Sequence, residues 1–321
     1  MATEDAALGD GATKASAEVI LVTGASGTVG RAIKELVDID DGIRGCRGWV
    51  FVGSADADLS NFTACNELFD KIRPTHVLHL AAVLKGRHEM AKLKADIFSI
   101  NIDINQNVLR CAHRYGVKKL VSCLSSTTYP AGNLVDVTEA ELHNGPPAEA
   151  VSGYAQSKRM LDFMTRCMRE QHGVKFVTVC PTNIFGSTAT LRADGPLFEA
   201  NVAKCLAAKR SGEPYLVWGT GEPRRQLLYS KDLARLLVWA LENYDEAETL
   251  NLTGDEVSVR EVVEAIAAAC KFDGKIEYMT DKPDGPKRVA ISNAKLNRIC
   301  PDVKYTPFKE AAEEVVREHL S

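Results

Sequence analysis

Short apolar segments alternate with longer amphipathic segments through the first half of this chain. The apolar segments are rich in β-branched residues and cover residues 19–22, 49–52, 76–80, 120–124 and 176–179. Such segments are typical of strands buried on both faces, and the amphipathic segments at 31–37, 61–72, 90–115 and 154–172 are typical of helices. Strands that alternate with helices form a parallel sheet with helices on both faces. The sequence therefore predicts an α/β fold with a doubly wound parallel sheet of the Rossmann type.

The pattern changes after Pro181. Beyond it, helices are expected at 233–241, 257–270 and 308–319. We predict a dinucleotide-binding domain over residues 18–185, with later returns to the same sheet, and a smaller, mainly substrate-binding lobe over 186–321. The boundary between them is expected to be interleaved. Residues 1–17 are small, polar and mildly acidic, which predicts a flexible tail.

Composition and charge exclude several classes of protein. A chain of 321 residues with 45% apolar content can bury a sizeable core, and a net charge of −4 leaves no basic surface for nucleic acid. The apolar segments are far shorter than the roughly 18 residues that span a bilayer, so no membrane association is expected. Nine cysteines are scattered singly, which favours free thiols in a reducing compartment and a cytoplasmic location. No group of His and Cys has ligand spacing, so no metal site is expected.

The first predicted strand runs directly into Gly24-x-x-Gly27-x-x-Gly30 and then into a predicted helix. Glycines at this spacing let the backbone approach a pyrophosphate and aim the N-terminus of the helix at its charge. The alternative is a tight turn that binds no ligand, but the position after the first strand favours dinucleotide binding. The expected cofactor contacts in this turn are Gly24, Ser26, Gly27, Thr28, Val29 and Gly30.

The end of the second predicted strand bears on the choice between NAD and NADP. NAD enzymes usually place an acidic residue there to bind the 2′-hydroxyl of the ribose. Here the strand ends Val52-Gly53-Ser54, with neither an acid nor a base. We predict NADP as the cofactor, with NAD as the alternative, and Ser54 as a contact. Asp58 and Leu59 are predicted to contact the adenine, and the alternative for them is an ordinary surface turn.

Tyr154 and Lys158 lie four residues apart on a predicted helix. Positions i and i+4 share a helix face, so the phenol and the ammonium are expected side by side. An adjacent cation favours the phenolate and lowers the pKa of a tyrosine from about 10, which predicts an acid/base role near neutral pH. The alternative is a solvent-exposed helix face.

The pair Ser125-Ser126, the motif Tyr154-x-x-x-Lys158 and the early glycines resemble the extended short-chain dehydrogenase/reductase family. Longer motifs at 143–147, 181–186, 217–226 and 282–285 are similar to the GDP-L-fucose synthase group of that family. Enzymes of that group epimerise GDP-4-keto-6-deoxymannose at C3 and C5 and then reduce C4 with NADPH.

This resemblance implies roles for individual residues. It makes Ser125 a hydrogen-bond donor to the substrate carbonyl, Tyr154 the proton donor at C4, and Lys158 the residue that tunes Tyr154 and holds the nicotinamide ribose. The further cofactor contacts that we expect are Ala81, Ala82 and Pro181, and the expected substrate contacts are Ser126, Thr127, Asn183, Trp218, Arg225 and Asp284. The resemblance also implies a GDP-linked substrate and a homodimer formed by the helices from Met90 and from Tyr154.

The chain departs from the group at the two positions that exchange protons during epimerisation. The group has a cysteine two residues after the catalytic serine, where this chain has Thr127. The group's histidine position falls at Pro196, and no histidine occurs between His172 and His319. Losing one acid/base group typically costs about 10²- to 10⁴-fold in rate, so we expect the 3,5-epimerase step to be impaired.

Asp194 and Cys180 are the substitutes that the sequence offers for these two groups. The first hypothesis is therefore an NADP-linked oxidoreductase on a nucleotide-linked 4-keto-6-deoxy sugar. The second is an NAD(P)-dependent dehydrogenase or 4-epimerase on another nucleotide sugar, because Ser-Ser-Thr also resembles the motif of 4-epimerases. The third is a non-catalytic dinucleotide-binding protein, which Ser125, Tyr154 and Lys158 argue against.

Overall fold

Strands and helices alternate from Val19 onward in the computed structural model, which describes residues 18–45, 47–188 and 191–320. The predicted tail at 1–17 lies outside the described residues. The strands are β1 (Val19–Thr23), β2 (Gly48–Val52), β3 (His76–His79), β4 (Lys119–Cys123), β5 (Leu134–Val137), β6 (Lys175–Pro181), β7 (Asn183–Phe185), β8 (Tyr215–Trp218), β9 (Arg224–Tyr229), β10 (Leu250–Leu252), β11 (Asp255–Ser258), β12 (Ile276–Met279) and β13 (Arg288–Ile291). The helices are α1 (Thr28–Ile39), α2 (Asp41–Arg44), α3 (Phe62–Ile72), α4 (Arg87–Lys92), α5 (Lys94–Arg114), α6 (Ser152–His172), α7 (Leu197–Ser211), α8 (Ser230–Asn243), α9 (Val259–Ala269), α10 (Ala294–Ile299) and α11 (Phe308–Leu320).

The central sheet has six strands in the order β2-β1-β3-β4-β6-β10, and all neighbouring strands are parallel. Along β1, Leu21 packs into a core beneath α3, α5 and α6, while Ile20 and Val22 pack into a second core beneath α1 and α8. Burial of both faces explains why the predicted strands are continuously apolar rather than alternating. The predicted doubly wound parallel sheet is confirmed.

The single helix predicted over residues 90–115 is wrong. The structure divides this segment into α4 and α5 at Leu93, whose backbone leaves the helical region with φ −105° and ψ 36°. Gly153 of α6 packs against the start of α5 so closely that a Cβ there would lie 2.2 Å from the carbonyl oxygen of Lys94. The break therefore lies where two helices meet backbone to backbone, a contact that the local sequence pattern does not report.

A second, smaller lobe lies beside the central sheet. Its sheet has the order β11-β9-β13-β5, with β7 paired to β9, and β8 pairs with β12 in a short third sheet. Aromatic residues fill its core, where the rings of Phe185, Phe198 and Phe308 pack together. The helix predicted over 257–270 begins two residues later than expected. Val257 belongs to β11, where it pairs with Arg225 of β9.

The chain passes between the two lobes more than once. β5 and β7 belong to the second sheet although they precede residue 186, and β10 returns to the central sheet. Asn251 of β10 is held by the hydroxyl of Tyr129 at 2.8 Å, by the carboxylate of Glu139 at 3.0 Å and by the carbonyl of Ser292 at 3.2 Å. The domain division at residue 185 stays a prediction.

Candidate functional site

The turn after β1 lies at the carboxyl edge of the central sheet. Gly24 has φ +73°, and a Cβ there would lie 2.7 Å from the backbone nitrogen of Ala81. The hydroxyl of Thr23 accepts hydrogen bonds from the backbone N–H groups of Leu80 and Ala81, at 3.2 and 3.3 Å. Only glycine combines this backbone conformation with this close approach. The ends of β1 and β3 are thereby joined beneath the turn.

The same turn leads into α1 without a side-chain cap. Gly27 is the N-cap residue and makes no side-chain hydrogen bond to the first turn of the helix. A Cβ at Gly30 would lie 2.5 Å from the Cα of Ala25, so the backbone of the turn folds directly onto the helix. Uncapped N–H groups at the start of a 12-residue helix are suited to an anionic group. The turn therefore fits the pyrophosphate of a dinucleotide.

The segment after β2 is a surface turn with one buried residue. Asp58 is exposed and accepts hydrogen bonds from the hydroxyl and backbone N–H of Ser60, which lower the pKa of its carboxyl group. Leu59 is buried in the core, and the Asn107 side chain binds its carbonyl oxygen at 3.0 Å. Ser54 is exposed beside them. The adenine contact predicted for Asp58 and Leu59 stays a prediction, and their contacts within the chain are those of a turn.

Tyr154 and Lys158 lie near the end of β4, and Ser125 follows that strand by two residues. Ser125 caps a 3-10 turn formed by Ser126–Thr128. Tyr154 and Lys158 are buried on α6, with the Lys158 ammonium 5.9 Å from the centre of the Tyr154 ring. Lys158 Nζ donates to the carbonyl oxygen of Cys123, the last residue of β4, at 2.7 Å. The two residues share a face of α6 as expected, and that face is buried rather than solvent-exposed.

The expected lowering of the Tyr154 pKa is wrong. Burial raises the pKa of the Tyr154 hydroxyl well above its usual value, since a phenolate is poorly solvated in this position. Burial also lowers the pKa of Lys158 to about 8. Removal of water therefore sets the direction of both pKa shifts, and Tyr154 is protonated at neutral pH.

A buried polar network beneath the site was missed from the sequence. His79 is fully buried between the Thr23 hydroxyl, 2.9 Å from Nδ1, and the Asn105 side-chain oxygen, 3.1 Å from Nε2. Asn105 Nδ2 in turn donates to the carbonyl oxygen of Ser157 on α6 at 3.5 Å. Burial and the charge of Lys158 lower the pKa of His79 to about 3, so the ring is neutral. An asparagine on the apolar face of a predicted helix, Asn105, is the signal that could have revealed this network.

Four of the residues predicted to bind substrate lie along the second lobe. Asn183 Nδ2 donates to the carbonyl oxygen of Gln226 at 3.0 Å, next to Arg225 on β9. Arg225 Nη1 donates to the carbonyl oxygen of Pro286 at 2.9 Å, so its guanidinium lies against the segment that follows Asp284. Trp218 is 64% exposed, a large aromatic surface available for stacking.

Asp284 has a contact that its predicted role did not include. Its carboxylate accepts hydrogen bonds from the backbone N–H and the hydroxyl of Thr220, at 2.7 and 2.8 Å. Thr220 lies two residues after Trp218. Asp284 thus holds the turn that carries the exposed tryptophan, and direct contact with substrate stays a prediction.

Thr127 and Pro196, the two positions at which this chain departs from the related group, have different surroundings. Thr127 is half-buried, and its hydroxyl donates to the Ser125 hydroxyl at 3.0 Å. Pro196 is the N-cap residue of α7. In the first turn of that helix, Glu199 is 6% exposed, and burial raises the pKa of its carboxyl group to about 7. One Glu199 oxygen, Oε2, has no hydrogen-bond partner among the described residues.

Neither substitute that the sequence offered has the environment of an acid/base group. Asp194 is exposed and forms an ion pair with Arg192 at 2.9 Å, and the hydrogen bond from Arg192 lowers the pKa of its carboxyl group. Cys180 is fully buried, which raises the pKa of its thiol far above neutral. Glu199, which sequence reasoning missed, lies three residues after Pro196 and has a pKa close to neutral. The neighbouring residues in the sequence do not indicate that a carboxyl group at the third position of a helix is buried.

Residues 18–45, 47–188 and 191–320 hold neither a metal-binding cluster nor a membrane-spanning helix. No three His, Cys, Asp or Glu side chains in these ranges are placed to hold a metal ion together. No helix in them is long and apolar enough to cross a membrane.

Comparison with known proteins agrees with the resemblance that the sequence motifs indicate. Residues 20–253 match the model of the NAD dependent epimerase/dehydratase family. The chain is 40% identical over 303 residues to a GDP-L-fucose synthase of Dictyostelium discoideum, covering 93% of this chain and 94% of the relative. It is 35% identical to a probable GDP-L-fucose synthase of Drosophila melanogaster, covering 94% and 97%. The solved structure of a GDP-L-fucose synthetase from Naegleria fowleri bound to NADP superposes with a TM-score of 0.88, at 38% identity and 94% coverage of both chains. These findings confirm the resemblance drawn from the motifs.

Proposed function

Because the chain belongs to the NAD dependent epimerase/dehydratase family, we propose that it is an NADP-linked reductase that acts on the C4 carbonyl of a GDP-linked 4-keto-6-deoxy sugar. The observation that carries this proposal is that buried Lys158, beside Tyr154, binds the last residue of β4, two residues before Ser125, on the sheet edge that also holds the Gly24–Gly30 turn. NADP is bound in the similar enzyme of Naegleria fowleri, and GDP-L-fucose is named for the similar synthase of Dictyostelium discoideum.

The protonation of Tyr154 suits the reducing direction. NADPH would supply the hydride to C4, and the oxygen of the sugar must then receive a proton. Burial keeps Tyr154 protonated at neutral pH, so it can donate that proton. Lys158, where charged, stabilises the phenolate that remains, and Ser125 donates a hydrogen bond to the same carbonyl oxygen.

The substrate lobe supplies groups suited to the nucleotide. Arg225 has a planar guanidinium that can bind two oxygens of a diphosphate at once. Trp218 exposes 64% of its surface and could stack on a purine. Asn183 adds a side-chain amide beside Arg225. These contacts are proposals, as are the cofactor contacts predicted at Ser26, Val29 and Pro181.

The direct experiment is to incubate the purified protein with GDP-4-keto-6-deoxymannose and NADPH. We expect stoichiometric oxidation of NADPH and a product reduced at C4, identified by mass spectrometry and NMR. Interconversion of a UDP-hexose without net use of NADPH would instead indicate a 4-epimerase. Binding of NADPH with no hydride transfer to any nucleotide sugar would indicate a non-catalytic binding protein.

We also propose that the protein is a cytoplasmic homodimer. Met160 and Phe163, three residues apart on α6, are 41% and 54% exposed, which leaves an apolar face on one of the two helices expected at the interface. The eight cysteines of the described ranges are free thiols, as expected in a reducing compartment. Light scattering after gel filtration tests the dimer: we expect twice the 35.0 kDa chain mass for the wild type and a shift toward one chain for Phe163→Glu. A wild type that elutes as a monomer would contradict it.

A further inference from the structure

The hydroxyl groups of Ser125 and Thr127 form a directed pair. The Ser125 oxygen accepts a hydrogen bond from the Thr127 hydroxyl at 3.0 Å and another from the Thr127 backbone N–H at 3.3 Å. The backbone is fixed as well, because the Thr128 hydroxyl donates to the Ser125 carbonyl oxygen at 2.7 Å. Ser125 and Thr127 are each half-buried, so one side of the pair is open.

The chemistry of a hydroxyl group gives this arrangement a direction. A serine oxygen has two lone pairs to accept hydrogen bonds and one proton to donate. Thr127 fills both acceptor positions of Ser125. The Ser125 proton is then the group that remains, and it must be donated away from the turn. Ser125 is thereby held in the orientation that a donor to a substrate carbonyl requires.

The identity of residue 127 decides whether this arrangement exists. The family resemblance places a cysteine here, and a thiol is a weak hydrogen-bond donor. A threonine hydroxyl is a strong donor but a very poor acid, so it suits polarisation of Ser125 better than removal of a C–H proton. Hydrogen bonds in a chain strengthen one another by roughly 10–30% in a site of low polarity.

We propose that Thr127 is a positioning residue for Ser125, and that the two hydroxyls form a relay that polarises the C4 carbonyl for hydride transfer. The proposal rests on the proposed reductase function. It gives position 127 a task in the reduction, in place of the proton exchange that the cysteine of related enzymes performs.

The test is a double-mutant cycle on Ser125→Ala and Thr127→Val, with Thr127→Ser as the conservative variant. Single-turnover hydride transfer from NADPH is measured with two acceptors, GDP-4-keto-6-deoxymannose and the activated dicarbonyl 9,10-phenanthrenequinone. Thr127→Val should lower the rate constant about tenfold, with KM for the sugar nearly unchanged, since a tenfold loss is about 1.4 kcal/mol, the size of one hydrogen bond lost in the transition state. Thr127→Ser should stay within about threefold of the wild type, because it keeps the hydroxyl.

The cycle separates a relay from a merely structural role. In the Ser125→Ala background, Thr127→Val should change the rate constant by less than about twofold, because nothing is left to polarise. An undiminished tenfold loss in that background would overturn the proposal, as would a Thr127→Val enzyme as fast as the wild type. If only the dicarbonyl is reduced, the GDP-sugar assignment is refuted. The role of Thr127 is then decided from the rate constants of the variants with the dicarbonyl. If neither acceptor is reduced, both the function and the role of Thr127 fall.

Discussion

The reducing part of the site and the part expected to exchange protons differ sharply. In the first, Ser125, Tyr154 and Lys158 are all present, with Lys158 bound to the end of β4 two residues before Ser125. In the second, Thr127 and Pro196 replace the acid/base groups of related enzymes, and Thr127 is turned toward Ser125. One active site can therefore keep the groups for one reaction while the groups for another are replaced, even where, as at Ser125 and Thr127, the two sets share one turn.

The strongest test of the reducing part is Tyr154→Phe. We expect hydride transfer to fall by about 10²- to 10⁴-fold, because the proton donor is removed while the ring keeps its packing. NADPH binding, measured by fluorescence titration, should stay within about threefold of the wild type. Turnover equal to that of the wild type would remove Tyr154 from the mechanism. The contrast between the reducing part and the proton-exchanging part of the site would then no longer hold.

The part that departs from the family is tested by proton exchange. The wild type should incorporate solvent deuterium at C3 and C5 of GDP-4-keto-6-deoxymannose slowly or not at all, while it still reduces the 4-keto group. The double variant Thr127→Cys with Pro196→His should raise incorporation by at least about tenfold, and each single variant should gain less, because removal of a proton on one face needs a donor on the other. Mass spectrometry of the sugar measures the exchange. Rapid incorporation at both carbons by the wild type would show that an unrecognised base is present.

Glu199, in the helix that follows Pro196, should make the free energy of unfolding depend on pH. Its folded pKa of about 7 lies above the ordinary value of 4.5, so the folded state binds the extra proton between these values. Stability is therefore lost as pH rises from about 4.5 to 7, by an amount on the order of 3 kcal/mol. Glu199→Gln should be more stable than the wild type at pH 8 and gain little at pH 5, in urea denaturation.

The matched control for that measurement is Glu213→Gln, an exposed carboxyl beyond the end of the same helix. It should change stability by less than about 0.5 kcal/mol at either pH. An equal gain for Glu199→Gln at both pH values would indicate a packing effect rather than a proton.

The smallest expected effect is the choice between cofactors. Gly53 and Ser54 carry no charge, so we expect a preference for NADPH over NADH of about tenfold or less in kcat/KM, well below what a bidentate arginine provides. Steady-state kinetics with both cofactors measures it. A preference above about a thousand-fold, roughly 4 kcal/mol, would mean that a basic residue reaches the ribose from another element.

Features set by local pattern were predictable, and features set by contacts across the sheet were not. The turn at Gly24 and the pairing of Tyr154 with Lys158 follow from short spacings in the sequence. The direction of the Tyr154 pKa shift was wrong because it depends on burial, which adjacent residues do not reveal. Glu199 and His79 were missed for the same reason, since their environments are built by elements distant in the chain.

The return of β10 to the central sheet has a consequence for how this protein can be taken apart. Asn251 at the edge of that sheet is held from two sides, by Tyr129 and Glu139 before the second lobe and by Ser292 after most of it. A fragment that ends at residue 185 would lack this strand and leave the edge of β6 unpaired, with backbone groups open to other chains. The two lobes are thus linked through β10, and a chimera that exchanges the second lobe would need at least three junctions, one ahead of that lobe and one on each side of Leu250–Leu252.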